Sequence, residues 1–314
     1  MIMEKMVSIQ RSDLTISGTL EVPEKKEQSY PAVLIISGSG PLNRDGNGKR
    51  GQVFNLYNLL AAFFKENGFV TFRYDKRGVG ASTGTYLEAG LWDLIDDAKA
   101  VLRFLKEQPE VNPRRVFVIG HSEGAMIAPA LAKDEELAGV ILLSGAAETM
   151  AEALAHQRGQ AVRSLKEISG IKGKLLKVLK VPERAEKQGP KFDEKMIRSE
   201  SATVRVQGMK MNAKWFREHY QFNARRVLEE VECPILAVTG SKDVQVTPER
   251  VFEVERYASG EVEAKIIPNM NHMLRDQAED YSILQLKRAY KQTGSKPLSN
   301  ELLTTMKEWL VKHV

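Results

Sequence analysis

Apolar positions recur along the chain in two alternating patterns, and the order of these patterns predicts the fold class. Near the N-terminus, apolar residues at every second position on both sides of Arg11, Ser12 and Asp13 predict an antiparallel hairpin. Beyond it, short apolar runs typical of buried strands alternate with segments whose apolar residues recur every three or four positions, as in amphipathic helices. This order predicts an α/β protein in which helices cover both faces of a parallel sheet.

The strands of this sheet are predicted from apolar runs bounded by small or turn-forming residues. They are PAVLIISGSG (31–40), FVTFRYD (69–75), RVFVIG (115–120), LAGVILLSG (137–145), CPILAVTG (233–240) and VEAKIIP (262–268). The predicted helices are FNLYNLLAAFFKENG (54–68), LWDLIDDAKAVLRFLKEQP (91–109), EGAMIAPALAK (123–133), PERVFEVERYA (248–258) and residues 300–313.

The alternation stops at Gly145 and resumes after about Val227. The residues between are basic, interrupted by glycine and helical in pattern. We therefore predict a core formed by 1–144 and 228–314, with an inserted helical cap at 145–227, called the cap segment below. An insertion between two strands of a parallel sheet is placed most simply over the carboxyl edge of the sheet, where ligands of open α/β sheets bind.

Charge and composition narrow the classes of protein. The net charge is +5, but residues 156–226 hold 18 Lys and Arg against 7 Asp and Glu, whereas the rest of the chain holds 28 against 34. A basic excess confined to one segment argues against a general nucleic-acid-binding surface. No apolar run is long enough to span a membrane and the N-terminus lacks the apolar stretch of a signal peptide, so we expect a cytoplasmic protein.

The spacing of cysteine and histidine residues gives no sign of a metal centre. The single cysteine, Cys233, cannot form an internal disulfide, and the five histidines show no spacing typical of metal ligands. We therefore expect neither a bound metal nor a redox role. Oligomeric state does not follow from the sequence.

The first candidate for a catalytic residue is the serine of Gly120-His121-Ser122-Glu123-Gly124, a segment between a predicted strand and a predicted helix. A Gly-x-Ser-x-Gly turn in this context is typical of a nucleophile elbow, in which the serine hydroxyl projects above the sheet edge. The alternative is a helix start that is flanked by glycine and happens to contain serine.

A serine nucleophile needs a base and a carboxylate that orients the base, and the elbow predicts them in the order acid, then histidine. Asp243 follows the strand at 233–240, and His272 follows the strand at 262–268. Three such residue types in this order, each just past its own strand, predict the triad Ser122, Asp243 and His272. His121 is a poor candidate for the base because neighbouring residues project in different directions.

An oxyanion hole needs two backbone N–H groups. We assign one to Glu123, which follows the nucleophile, and the other to Ser39, in the loop after the first central strand. Glycines on both sides of Ser39 let that loop turn inward, although they are also ordinary turn formers.

With these residues in place, the chain resembles the α/β-hydrolase family, and more narrowly the serine esterases of the dienelactone-hydrolase-like group. The resemblance rests on SGSGPLNRDG, FRYDKRGVGASTG, GHSEGA, the segment from WFREHYQFN to TGSKDVQV, and NMNHML. It implies an eight-stranded, mostly parallel sheet, the triad assigned above, and hydrolysis of carboxylic esters without a cofactor.

Two further segments have competing interpretations. Met209, Trp215 and Phe216 are predicted to line an acyl pocket, although they fit the core of the cap equally. The segment KGKLLKVLK (172–180) is predicted to cover that pocket with its lysines in water, and contact with a membrane surface is the alternative. In YDKRGVGAST (74–83), a pair between Asp75 and Arg77 is expected to brace a tight loop beside the elbow.

The sequence therefore predicts a serine hydrolase whose substrate is a small carboxylic ester. A peptidase, a thioesterase or an acyltransferase would use the same residues. A non-catalytic binding protein with this fold is the alternative from a different class.

Overall fold

An eight-stranded sheet forms the centre of the computed structural model, which describes residues 3–24, 29–49, 52–145 and 147–314. In the order β1-β2-β4-β3-β5-β6-β9-β10, β2 is antiparallel to its neighbours and the pairs from β4 to β10 are parallel. The strands are β1 (Met3–Gln10), β2 (Thr15–Val22), β3 (Tyr30–Ile36), β4 (Val70–Tyr74), β5 (Val111–His121), β6 (Gly139–Leu143), β7 (Thr203–Val206), β8 (Met209–Asn212), β9 (Ile235–Gly240) and β10 (Val262–Ile267).

Helices cover both faces of this sheet because its central strands are apolar on both sides. In β3, Val33 and Ile35 pack into one apolar cluster, whereas Leu34 and Ile36 pack into the other. The helices are α1 (Leu56–Glu66), α2 (Leu91–Lys106), α3 (Gly124–Ala132), α4 (Met150–Glu167), α5 (Gly170–Val178), α6 (Val181–Ile197), α7 (Ala213–Gln221), α8 (Ala224–Leu228), α9 (Glu253–Tyr257), α10 (Leu286–Thr293) and α11 (Asn300–His313). Helices α1 and α11 cover one face, and α2 and α3 cover the other.

The fold class predicted from the alternation is confirmed. The N-terminal hairpin pairs β1 with β2, and its turn is closed by a 2.8 Å hydrogen bond from Arg11 N to Leu14 O. The predicted helix at 248–258 is shorter than expected, because a 3-10 turn at Pro248–Phe252 precedes the five-residue α9.

The cap segment is mostly helical, with α4 to α8 between β6 and β9, but it is not helical throughout. Strands β7 and β8 form a separate antiparallel hairpin, in which Thr203 pairs with Asn212. Its two turn residues, Gln207 and Gly208, both have positive φ, at 49° and 81°. Two positive φ values are what a tight two-residue hairpin turn requires, and glycine meets this requirement easily.

Glycine is required where β5 turns into α3. A Cβ atom at Gly120 would lie 2.1 Å from the carbonyl oxygen of Gly124, and a Cβ at Gly124 would lie 2.3 Å from that of Ile36. Both contacts are with backbone atoms, which cannot rotate away. The strand, the turn and the helix therefore approach each other more closely than any residue with a side chain allows.

This close approach makes a prediction about stability. Gly124→Ala should destabilise the fold by roughly 3 kcal/mol or more, because the new methyl group displaces the backbone of β3. Gly159→Ala is the matched control: it lies in α4, where a Cβ meets no atom closer than 3.6 Å, and alanine there should stabilise by about 0.5–1 kcal/mol. Urea unfolding of both variants measures the difference, and equal stabilities would contradict the steric argument.

Candidate active site

The turn after β5 holds Ser122 in a strained backbone conformation. Its φ is 55°, in the left-handed region that a residue other than glycine adopts only at a cost. A 2.9 Å hydrogen bond from its N–H to the carbonyl of Leu143 anchors the turn to β6. In this position the serine Oγ is 3.1 Å from His272 Nε2.

The structure brings the three residues predicted as a triad into one hydrogen-bonded chain. Asp243 follows β9, His272 follows β10, and His272 Nδ1 lies 2.7 Å from Asp243 Oδ2. The other carboxylate oxygen of Asp243 accepts a 2.8 Å hydrogen bond from the backbone N–H of Gln245, which fixes the carboxylate plane. Each side chain thus comes from the carboxyl end of its own parallel strand.

His121 has a structural role beside this chain. Its Nε2 lies 2.8 Å from the backbone carbonyl of His272, which can only accept, so this nitrogen carries the proton. Its Nδ1 then accepts from the hydroxyl of Tyr57 at 3.1 Å, and that hydroxyl oxygen accepts in turn from Gly38 N–H at 2.6 Å. Burial lowers the pKa of His121 to about 3. A neutral His121 therefore connects the loop of His272 to the loop of Gly38.

The two loops predicted to supply an oxyanion hole face one cavity, which both Ser39 and Glu123 line together with Ser122. Within the described residues, neither the N–H of Ser39 nor that of Glu123 donates a hydrogen bond to another group of the chain. The Gly38 carbonyl accepts from Lys76 Nζ, and the Gly38 N–H is held by Tyr57. The backbone before Ser39 is therefore fixed from both sides.

The side chain of Glu123 is the centre of a buried charge cluster. Its Oε2 accepts a 2.9 Å hydrogen bond from Lys76 Nζ, while Oε1 accepts from the indole N–H of Trp215 and lies 3.2 Å from His219 Nε2. The side chains of Glu123, Lys76 and His219 are all almost completely buried. Burial alone would raise the pKa of Glu123, but Lys76 and then His219 outweigh burial and hold that pKa well below its usual range.

This cluster joins the cap segment to the core, and sequence reasoning missed it. Trp215 and His219 belong to α7 of the cap segment, and they stack with ring centroids 4.1 Å apart. Lys76 follows β4, and Glu123 begins the turn into α3. From the sequence, Glu123 was given a role only for its backbone N–H. A carboxylate directly after the serine was nevertheless a signal, because a buried carboxylate needs a partner.

The prediction of an ion pair between Asp75 and Arg77 is wrong. Asp75 Oδ2 binds Arg44 Nη2 at 2.7 Å, and Arg77 Nε binds Asp97 Oδ2 at 2.7 Å. The two side chains point to different partners because Arg44, in the loop after β3, closes over Asp75, whereas α2 presents Asp97 to Arg77. Arg77 also lies 3.3 Å from Asp93, so ion pairs to Arg44, Asp93 and Asp97 brace the loop.

Two cavities meet at Ser122 and His272. The first, of about 120 Å³, lies between the sheet edge and the cap segment, and the second, of about 150 Å³, lies on the side of Tyr57 and Tyr290. Of the pocket residues predicted from sequence, Trp215 lines the first cavity.

Met209 and Phe216 are not among the residues that line either cavity. Met209 begins β8 and is 63% exposed. Phe216 packs against Phe192 of α6 with ring centroids 5.1 Å apart, so it belongs to the interior of the cap segment.

The segment 172–180 does not cover a pocket, so that prediction is wrong. Helix α5 leaves Ile171 and Val178 exposed, at 89% and 78%, and Leu175 is exposed as well. These three residues share one helical face by their spacing, and this face points away from the cavities.

Comparison with known families decides the class. The sequence model of the family described as "Serine aminopeptidase, S33" matches residues 50–278. The chain belongs to this hydrolase family. The matched range includes Ser122, Asp243 and His272 as well as the cap segment. The predicted resemblance to α/β hydrolases is confirmed, and the narrower dienelactone-hydrolase-like grouping stays a prediction.

Individual relatives of this hydrolase agree with the family. Esterase EstD of Thermotoga maritima is 22% identical over 311 residues, which cover 97% of this chain and 68% of that protein. Est1E of Butyrivibrio proteoclasticus, solved with ferulic acid, aligns with a TM-score of 0.58 at 18% identity, covering 91% of this chain and 96% of that one. Proline iminopeptidase of Mycobacterium smegmatis aligns with a TM-score of 0.62 at 16% identity, covering 98% of each chain. These structures show the α/β-hydrolase fold.

The described residues contain neither a membrane-spanning helix nor a cluster of metal ligands. In the part of the chain that the structure describes, no helix combines the length and apolar character needed to cross a bilayer. The same residues contain no group of three or more His, Cys, Asp or Glu side chains arranged to hold a metal ion.

The Glu123 cluster makes a prediction about stability and pH. Glu123→Gln should destabilise the fold by about 3–5 kcal/mol at pH 7, because it leaves Lys76 buried without its carboxylate. The folded-state pKa of Glu123 is depressed below its ordinary value of 4.5, so its contribution is present above that pH and is lost as the pH falls through the folded value. The stability gap between wild type and variant should therefore narrow in acid.

Urea unfolding of both proteins at pH 7, at pH 4.5 and near pH 3 measures this gap. Glu229→Gln is the matched control, since Glu229 is exposed and its substitution should change stability by no more than about 0.5 kcal/mol. A gap that is absent at pH 7, or that stays constant with pH, would contradict the assignment of Glu123 as a buried carboxylate.

Proposed function

We propose that the protein is a serine esterase, with Ser122 as nucleophile, His272 as general base and Asp243 as the group that orients the base. The observation that carries the proposal is the continuous chain of contacts, 3.1 Å from Ser122 Oγ to His272 Nε2 and 2.7 Å from His272 Nδ1 to Asp243 Oδ2. Hydrogen bonds of this length and order are what proton transfer from a serine hydroxyl requires.

The mechanism follows from this geometry in two halves. His272 Nε2 accepts the hydroxyl proton while Ser122 Oγ bonds to the ester carbonyl carbon, and the imidazolium then protonates the departing alcohol. A water molecule next gives a proton to His272 and attacks the acyl-enzyme, and Ser122 Oγ recovers that proton as the carboxylic acid leaves. Asp243 holds Nδ1–H of His272 and stabilises the positive charge that the imidazole gains in each half.

Both tetrahedral intermediates carry a negative oxygen, for which Ser39 and Glu123 supply the N–H groups in this proposal. Both residues line the cavity beside Ser122, and among the described residues neither backbone N–H donates to the chain, which supports this assignment. A carboxylate directly after the nucleophile would oppose an oxyanion in a poorly solvated site. The Lys76 ammonium, 2.9 Å from Glu123 Oε2, offsets that charge and lets this position supply its N–H without electrostatic repulsion.

The cap segment, 145–227, forms one wall of the site in this proposal. Residues from α4 and Trp215 from α7 line the first cavity, opposite the loops at the sheet edge. The Glu123 cluster fixes α7 against the elbow, so Trp215 has a defined position above the nucleophile. Water access to the acyl-enzyme then depends on how closely α4 and α7 hold the cavity.

Esters are favoured over amides because the relative matched over 97% of this chain is named an esterase, and Est1E, a solved structure of the same fold, has a carboxylic acid, ferulic acid, bound. The runner-up is a peptidase, since the family description is that of a serine aminopeptidase and one structural relative is a proline iminopeptidase. A non-catalytic binding protein has less support, because it would not need an aligned Ser, His and Asp.

Substrate class can be tested with one acyl group presented as an ester, a thioester and an anilide. We expect kcat/KM to be highest for the ester, because the site needs to protonate only an alcohol. Ser122→Ala should lower kcat on that ester by about 10⁴–10⁶-fold. A faster anilide would favour the peptidase, and near-normal turnover by Ser122→Ala would refute the proposal.

Replacement of His272 and replacement of His121 should lower kcat to very different extents. His272→Ala should lower kcat about as much as loss of the serine, because no base remains in contact with Oγ. His121→Asn, which keeps a side-chain donor, should cost far less, since His121 contacts only the backbone of the His272 loop and Tyr57. Steady-state kinetics on the ester measures both, and an inactive His121→Asn beside an active His272→Ala would reverse the assignment.

A further inference from the structure

Two buried polar side chains that line the first cavity each have an oxygen atom without a hydrogen-bond partner among the described residues. Glu148 follows β6 at the start of the cap segment, is only 7% exposed, and lines the cavity together with Ser122. Among the described residues, no group forms a hydrogen bond with Glu148 Oε2. The hydroxyl of Ser144, which lines the same cavity and is completely buried, also has no partner there.

Among the described residues, Glu148 has no ion-pair partner within contact distance. Its Oε1 accepts a 3.2 Å hydrogen bond from the hydroxyl of Thr247. Arg250, whose charge acts on Glu148, is itself paired with Glu253 at 2.5 Å. Burial raises the pKa of Glu148, and the hydrogen bonds from Thr247 and the charge of Arg250 oppose this rise only in part.

An unpaired buried acceptor is costly, at about 1–3 kcal/mol and more for a charged group. Such groups are rare in folded proteins, and a ligand that completes the hydrogen bonds is one reason for which they are kept. The backbone here is also strained, since Ser144 has a φ of 48°. Two unpaired groups and one strained residue in the cavity of the nucleophile form a built binding position.

We propose that this cavity binds a substrate substituent that carries a hydrogen-bond donor, a hydroxyl or an ammonium group, and that Glu148 is its acceptor. Ser144 provides the second polar contact. This inference rests on the proposed esterase function and names the class of ester that the site selects. It predicts that the protein has a higher kcat/KM for esters that carry a hydrogen-bond donor than for apolar esters of equal size.

The remaining walls limit the size of that substituent. Met126, Met150, Ala153 and Leu154 give the cavity an apolar side, and its volume of about 120 Å³ is small beside the 300–1,000 Å³ typical of sites for drug-sized ligands. The substituent is therefore short, with its carbon atoms against the apolar wall and its donor at Glu148.

The experiment compares esters that differ in one group. On the acyl side, methyl isovalerate, methyl β-hydroxybutyrate and methyl β-aminobutyrate exchange a methyl for a hydroxyl or an ammonium. On the alcohol side, propyl acetate is paired with hydroxyethyl acetate. The kcat/KM ratio of each donor-bearing ester to its methyl counterpart is measured by acid release in wild type, Glu148→Gln and Glu148→Leu. Because each ratio is taken within one protein, a general loss of activity cancels.

In wild type we expect at least one donor-bearing ester to exceed its methyl counterpart by about tenfold or more, because the donor satisfies a buried acceptor. Glu148→Leu should bring that ratio close to one. An ammonium preference should be lost in Glu148→Gln, whereas a hydroxyl preference should partly survive, since the amide oxygen still accepts. If the acyl-side esters show the preference, the cavity binds the acyl group; if the alcohol-side esters show it, the cavity binds the alcohol group.

Glu249→Gln is the matched control, because Glu249 is exposed nearby and does not line the cavity, so its ratios should equal those of wild type. Wild-type ratios near one in every arm, or ratios that Glu148→Leu leaves unchanged, would overturn the inference while esterase activity remains. Absence of hydrolysis of every ester by wild type would instead overturn the proposed function on which the inference rests.

Discussion

The close approach of β5 and α3 around Ser122 is the constraint on which the rest of the site depends. Because Gly120 and Gly124 have no side chain, the turn between them can be sharp enough to hold Ser122 at a φ of 55°. That conformation directs Oγ to His272, which β10 and its following loop bring to the same edge of the sheet. The same turn forces the next residue, Glu123, to be buried.

Burial of Glu123 has consequences that reach the cap segment. A buried carboxylate needs partners, and it finds Lys76 in the core and Trp215 and His219 on α7. The cap segment is thereby fixed against the residue that follows Ser122, and the first cavity lies between them. Glu148 is the contrasting case, since it is buried in the same cavity but has no such partner for Oε2.

Features that depend on the local sequence pattern were predicted, whereas side-chain pairs between residues far apart in the sequence were missed. That Ser122, Asp243 and His272 lie together could be predicted, because each follows an apolar strand and parallel strands end at one edge of a sheet. The partners of Asp75 and Glu123 could not, since Arg44 is 31 residues from Asp75 and Lys76 is 47 residues from Glu123. The hairpin at 203–212 was missed although its alternation around Gln207 and Gly208 is visible in the sequence.

In the proposed mechanism, hydrolysis passes through an acyl group on Ser122. Rapid mixing with an activated ester, followed by acid quench and peptide mass mapping, would detect this intermediate. We expect one acyl mass increment, located on the peptide that contains Ser122 and absent from the Ser122→Ala protein. An increment on a different residue, or turnover of the ester with no covalent species at any mixing time and direct attack by water, would contradict it.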